Sequence, residues 1–311
     1  MANPLLRIGT RGSPLALAQA GELRDRLATA HLALAEPDAV AILPIRTSGD
    51  RLAANASLAD AGGKGLFTKE IEEALLAGTI DIAVHSLKDM PAPLPAGLVI
   101  ACHLPREDPR DALIAAPGVR TLADLPPGAR VGTSSPRRKA QLLHARPDLE
   151  IIPFRGNVGT RLAKLADGAV LATLLAFAGL RRLQREDCIS ALLEPAEILP
   201  AAGQGVIVAQ TRAGDQRTIA WLLPIEHAAT AVCAHAERAL LAALGGDCRT
   251  PIAALATLAG DRVTLDAMVI RPDGSDFHRL RRDAAARRAE ALGSAIGAEL
   301  KARAGPEFFR S

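Results

Sequence analysis

The sequence predicts an α/β protein: a two-lobed clamshell of mainly parallel sheets, followed by a small α+β domain. Three observations predict it. Strands and helices alternate at the spacing of βαβ units, which build parallel sheets. The opening pattern then returns, because Arg130-Val131-Gly132-Thr133-Ser134-Ser135-Pro136 echoes Arg7-Ile8-Gly9-Thr10-Arg11-Gly12-Ser13-Pro14. Finally, the chain crosses between lobes twice, near Arg106–Arg110 and again at the glycine-rich Leu199–Gly205. Such crossings serve as hinges when the last strand rejoins the first lobe. The domains expected are residues 1–104 with 200–222, residues 105–199, and residues 223–311.

In the first lobe Leu5 to Gly9 reads as a strand and Ser13 as a helix cap, with Pro14 at the first helical position. Leu15, Gln19, Leu23 and Leu27 recur at four-residue steps, and the helix fades near Ala30. Val40 to Ile45 is the next strand. A polar loop with Gly62-Gly63-Lys64-Gly65 follows, without the glycine spacing or the Ser/Thr of a phosphate loop, and reads as a mobile lid, an inert loop being the alternative. Thr68 opens a helix with Glu70, Glu72 and Glu73 in its early turns, and Gly78 ends it. Ile80 to Val84 is a strand that runs into His85-Ser86-Leu87-Lys88-Asp89, and Leu98 to Cys102 is another.

The second lobe has strands ending at Gly132, at Phe154 and, from Val170, at Phe177; Val206 to Thr211 returns to the first lobe. In the last domain an Ala/Leu helix, Ile225 to Leu244, leads into Gly245-Gly246-Asp247-Cys248-Arg249-Thr250-Pro251. Strands at Ile252–Leu258 and Val263–Ile270 come next, and a final helix spans roughly Ala284 to Ala302.

Composition excludes several classes. Apolar residues make up 49% of the 311, so the chain is globular. No apolar run reaches the roughly 18 residues of a membrane span. The N-terminus lacks a signal peptide's basic start and apolar core, so a cytoplasmic protein is expected. The four cysteines show no metal-ligand spacing. A net charge of +3 and 2% aromatic residues argue against nucleic acid.

Three features carry chemistry. In parallel sheets ligands sit outside the carboxyl ends of strands, and Lys88 and Asp89 lie at such an end. Arginines lie at others: Arg11, then Arg137 and Arg138, Arg155 and Arg161, Arg181 and Arg182. Arg137 and Arg138 fall in a helix's first turn, where cations oppose its dipole. Anion binding explains them; a solvated basic run is the alternative. Cys248 sits on a loop beside Arg249, where a cation favours the thiolate; a small buried thiol without chemistry is the alternative.

Taken together, Arg11–Leu17, Gly62–Phe67, His85–Pro91, Gly132–Arg138, Arg155–Arg161, Pro200–Gly205 and Cys248–Ile252 resemble the porphobilinogen deaminase (hydroxymethylbilane synthase) family, in its order and over nearly the whole chain. The resemblance implies a transferase of haem and porphyrin biosynthesis. It would join four porphobilinogen molecules head to tail, release ammonia at each step and free hydroxymethylbilane. It also implies a dipyrromethane cofactor held by a thioether at Cys248. Asp89 would be the main catalytic carboxylate, facing pyrrole nitrogens, with Lys88 beside it and also touching the cofactor. Ser135, Arg137, Arg138 and Arg161 would hold cofactor carboxylates. Arg11, Ser13, Arg155 and Arg182 would serve the substrate and growing chain. A monomer without metal, nucleic acid or membrane partners is expected. The sequence departs from the family's usual pattern at Pro136, Leu171, Val208, Gln210 and Asp247.

The chemistry suits these residue types. Guanidinium forks pair with the acetate and propionate groups of porphobilinogen in two parallel hydrogen bonds. Loss of ammonia leaves a cation that a carboxylate stabilises. A periplasmic-binding-protein-like clamshell that only binds organic anions is the rival reading. It would need neither the cysteine-bearing third domain nor the Lys88–Asp89 pair.

Overall fold

The computed structural model describes residues 4–49, 67–245 and 250–308. Residues Met1–Arg106 with Val206–Ala231 form one compact unit, and Glu107–Gly205 with Val232–Ser311 the other.

The first unit is built on five strands: β1 (Leu6–Arg11), β2 (Val40–Ile45), β3 (Ile82–Ser86), β4 (Leu98–His103) and β10 (Ile207–Arg212). They lie in the order β2-β1-β3-β10-β4. Strands β1, β2 and β3 are mutually parallel, whereas β10 runs antiparallel to both neighbours. The α1 helix (Pro14–Ala30) starts where the sequence predicts: Ser13 Oγ accepts from the amide of Ala16 at 3.3 Å and Pro14 opens the first turn. Its buried face of Ala16, Gln19, Ala20, Leu23 and Leu27 packs on Leu6, Ile8, Ile82 and Val84, so the core lies between this helix and the sheet. The short α2 (Leu32–Ala35) follows, and α3 (Lys69–Leu76) covers the other face through Ile71 and Leu75. A seven-residue helix, α7 (Gln216–Leu222), follows β10.

The second unit repeats this plan. Its sheet comprises β5 (Asp111–Ala115), β6 (Arg130–Gly132), β7 (Glu150–Ile152), β8 (Ala172–Ala176) and β9 (Ala191–Leu193), in the order β7-β6-β8-β5-β9. Again three strands are parallel and the fourth, β5, is antiparallel to its neighbours. Helices α4 (Pro136–Ala145), α5 (Val158–Ala166) and α6 (Phe177–Arg182) follow β6, β7 and β8. The repeated Gly-Thr has a packing cause. A Cβ on Gly9 would sit 2.3 Å from the Ile80 side chain, and one on Gly132 would sit 2.5 Å from the Phe154 ring. Glycine at each position makes room for a large neighbour, most strictly at Gly132, where the Phe154 ring and its Cβ close in.

The same unit holds the antiparallel sheet β11 (Ile252–Ala259), β12 (Arg262–Ile270) and β13 (Phe277–Ala285). One face packs on α8 (Ala228–Leu244) and α9 (Ala289–Ala304). Those helices approach closely, because a Cβ on Gly293 would lie 2.1 Å from the Ala236 carbonyl oxygen. The other face meets Ala140 of α4 and Leu199.

Two sequence expectations change. The final helix begins at Ala289, not Ala284, because residues 277–285 form β13. As an edge strand with little burial, β13 carries Arg279, Arg281 and Arg282 in place of an apolar alternation. Arg279 is held across the sheet by Asp266 (2.8 Å) and Arg282 by Glu299 of α9 (2.7 Å). Strands β5 and β9 were not expected either. Of the departures from the family pattern, Val208 is fully buried and Leu171 packs on the second core. Among the described residues no helix is long and apolar enough to cross a membrane.

Candidate active site

Because β1, β2 and β3 are parallel, their carboxyl ends share one sheet edge. Arg11 ends β1 and its guanidinium lies 4.2 Å above the Phe67 ring centre, a cation–π contact. Ser13 caps α1 beside it. At the end of β3 the chain makes a 3-10 turn, Leu87–Asp89. Leu87 and Met90 are buried and pin this turn, the Leu87 amide donates to the Val206 carbonyl (2.9 Å), and Asp89 is left exposed with Lys88 half-buried. The structure therefore brings Arg11, Ser13, Lys88 and Asp89 to one edge.

Below that edge lies a buried polar group the sequence did not disclose. Gln210 on β10 donates to Glu72 on α3 at 3.0 Å, and Thr68 donates to the other Glu72 oxygen at 3.2 Å. His85, paired across the sheet with Val208, is buried in the same layer. Burial pushes its imidazole down to about 4 and the Arg11 charge adds to this, while Gln210 works the other way. In the unfolded chain the ring takes a proton near pH 6.5, but in the folded chain only near 4. Its contribution is thus complete above about 6.5 and is lost as pH falls from 6.5 to 4, amounting to about 3 kcal/mol. Urea denaturation at pH 7, 5.5 and 4 should show that loss, and His85→Leu should remove this part of the slope. An identical slope in the variant would refute it.

The second sheet has the matching edge, formed by the carboxyl ends of β6, β7 and β8. Ser135 caps α4, its Oγ accepting from the Arg138 amide at 3.4 Å. Arg137 and Arg138 then turn inward and are not a solvated run. Arg137 Nη2 donates to Asp111 Oδ2 at 2.8 Å, and Arg138 Nη2 to Asp111 Oδ1 at 2.7 Å. Arg137 Nη1 reaches the Leu199 carbonyl (2.7 Å) and Arg138 Nη1 the Leu174 carbonyl (3.0 Å). The anion these cations meet within the chain is therefore Asp111, at the start of β5. Burial alone would push the Asp111 carboxyl up; the two guanidiniums and the Gln204 amide override it and hold it well below the usual carboxylate range.

Beyond β7, Asn157 caps α5 by accepting from the Thr160 amide at 2.8 Å, and Arg161 Nε donates to the Gly156 carbonyl at 2.8 Å. Arg155 is half-buried in the same turn. Beyond β8, Arg182 Nη2 donates to the Gly205 carbonyl at 3.0 Å. All six predicted groups of this lobe, Ser135, Arg137, Arg138, Arg155, Arg161 and Arg182, stand at one sheet edge. Cys248, Asp247 and the Gly62-Gly63-Lys64-Gly65 loop lie outside the described residues. Among the described residues no group of three or more His, Cys, Asp or Glu could hold a metal ion.

Three anchoring residues escaped the sequence reading. Asp111 is one. Gln204 donates from its amide to Asp111 Oδ1 (2.8 Å) and to the Pro109 carbonyl (2.7 Å). Glu237 of α8, fully buried, accepts from the amides of Gly203 (2.5 Å) and Ala256 (2.7 Å). A signal for Glu237 existed: it falls on the apolar stripe of Cys233, Ala236 and Leu240, where a carboxylate must have partners.

Residues 6–220 match the family model described as porphobilinogen deaminase, dipyromethane cofactor binding domain, and residues 231–302 match that of the porphobilinogen deaminase C-terminal domain. The chain belongs to the porphobilinogen deaminase family. A porphobilinogen deaminase from Paracoccus denitrificans (strain Pd 1222) is 53% identical over 307 residues, covering 99% of this chain and 96% of the relative. One from Nitrobacter winogradskyi (strain ATCC 25391 / DSM 10237 / CIP 104748 / NCIMB 11846 / Nb-255) is 52% identical over 305 residues, covering 98% and 95%. Among solved structures, the periplasmic aliphatic sulphonate binding protein SsuA from Escherichia coli shares 17% identity over 78% of this chain and 75% of its own, with a TM-score of 0.43. Membership makes the chain a transferase that polymerises four porphobilinogen molecules into hydroxymethylbilane with a dipyrromethane cofactor, in tetrapyrrole synthesis. A binding protein without chemistry is thereby set aside.

Proposed function

We propose that the two sheet edges divide the work of this transferase. Asp89, exposed on its pinned turn, is the catalytic carboxylate: it stabilises the cation left when ammonia departs and holds the proton of a pyrrole nitrogen. Lys88 beside it pairs with carboxylates of cofactor or substrate. Ser135, Arg137, Arg138 and Arg161 hold cofactor carboxylates, while Arg11, Ser13, Arg155 and Arg182 take those of the substrate and growing chain. Cys248 is the tether. When bound, the dipyrromethane supplies the primer to which porphobilinogen is joined.

The observation that carries this reading is the convergence of arginines from three parallel strands on one edge, matched to a substrate whose side chains are carboxylates. The donor set also fits the cofactor: Arg138 Nε is buried and has no hydrogen-bond partner within the chain, a vacancy that one carboxylate oxygen would fill. Mass spectrometry of the denatured protein tests the tether. The expected result is an adduct of one dipyrromethane confined to the peptide that contains Cys248. Active protein with that cysteine unmodified would overturn the assignment.

We also read the chain as a cytoplasmic monomer of three domains, 1–104 with 200–222, 105–199 and 223–311. The separate core between the β11–β13 sheet and helices α8 and α9 supports the third of these. Light scattering of the purified protein should give one chain's mass, and a dimer's mass would reject the monomer.

A further inference from the structure

The Arg137–Arg138–Asp111 cluster is unusual in its charge count. Side-chain exposure is 5% for Arg137, 7% for Arg138 and 0% for Asp111. Two guanidiniums and one carboxylate leave a net charge of +1 withdrawn from water. An uncompensated buried charge is costly. The cluster's open hydrogen-bonding capacity points the same way, because the buried Arg138 Nε has no hydrogen-bond partner within the chain. One net charge and one vacant buried donor together call for one more anionic oxygen.

We propose that Asp111 is a positioning residue for cofactor capture: a built-in counter-ion that holds Arg137 and Arg138 as a preformed pair, with Gln204 fixing its orientation, and leaves the pair one charge short of neutral for a single cofactor carboxylate. This rests on the reading that those arginines hold cofactor carboxylates. The geometry supports each part. Each Asp111 oxygen takes a different arginine, Oδ2 from Arg137 and Oδ1 from Arg138, so the carboxylate plane sets the spacing between the two forks. The Leu199 and Leu174 carbonyls fix the second nitrogen of each fork. Gln204 shares Oδ1 with Arg138 and is itself braced on the Pro109 carbonyl. Its neighbour Gly203 is held by Glu237. Without Asp111 the two like charges would repel and their rotamers would be unset. Preorganisation of this kind lowers the ordering cost of binding.

The test is cofactor loading, read as the adduct-bearing fraction of the folded gel-filtration peak by intact mass. That readout is separate from turnover. For Asp111→Asn a fall of about tenfold or more in loading is expected. Gln204→Met keeps all three charges and removes the orienting amide; it should lower loading of the folded protein by a smaller factor. It also serves if Asp111→Asn does not fold. Arg138→Leu is the control. Full loading of folded Asp111→Asn, or of Gln204→Met where the former does not fold, overturns the positioning role if Arg138→Leu fails to load. If Arg138→Leu also loads fully, the carboxylate-binding reading of the arginines falls, and the proposal with it.

Discussion

Asp89→Asn should keep the fold and lose turnover by about 10²–10⁴-fold, the range that a positioned acid–base or charge-stabilising group supplies. The turn that carries Asp89 is held by other atoms. Leu87 and Met90 are buried on either side of it, the Leu87 amide is bonded to Val206, and the Met90 amide donates to the Leu87 carbonyl at 3.1 Å. Asparagine has the same shape, so none of these contacts changes. What disappears is the negative charge that the proposed role sets against the cation left by ammonia. Rates should be expressed per cofactor-bearing chain, because loading itself depends on the same chemistry. The melting temperature should match the parent protein. Turnover within about threefold of normal would remove Asp89 from the mechanism.

Glu237→Leu should lower stability by roughly 2–4 kcal/mol. Two effects oppose one another. Burying a carboxylate costs solvation, and replacement by an apolar residue of similar volume recovers that cost. The partners, however, are the backbone amides of Gly203 and Ala256, which no side-chain substitution can remove. Each amide left unsatisfied costs about 1–3 kcal/mol, so the loss wins. Urea titration should show a lower midpoint with an unchanged slope. A loss under about 1 kcal/mol would mean that water or a rearranged carbonyl replaces the carboxylate.

Local signals were legible in the sequence where one residue sets one structure. Ser13-Pro14 and Ser135-Pro136 announced two helix starts, because each cap acts on an amide three residues on, and the Gly9-Thr10 and Gly132-Thr133 echo announced the repeated sheet. The arginines at strand ends were legible because a parallel sheet puts every carboxyl end at one edge. Asp111 was not, since its partners lie 26 and 27 residues along the chain and nothing local marks a carboxylate for burial. Gln210 and Glu72 are 138 residues apart. Strand β13 was missed because an edge strand buries too little to need an apolar alternation.

The strand order of the first sheet has a consequence for biosynthesis. Strand β10 lies between β3 and β4, yet it begins at Ile207, while β4 ends at His103. At ribosomal speeds of about 5–20 residues per second, the first lobe waits roughly 5–20 s for the strand that completes it. Meanwhile β3 and β4 present unpaired edges, the surfaces most prone to wrong pairing. The sheet of β5 to β9 is contiguous in sequence, from Asp111 to Leu193, and needs no later segment to close. The lobe made second on the ribosome is thus the first able to finish, and the N-terminal half of the newborn chain is where chaperone protection would matter most.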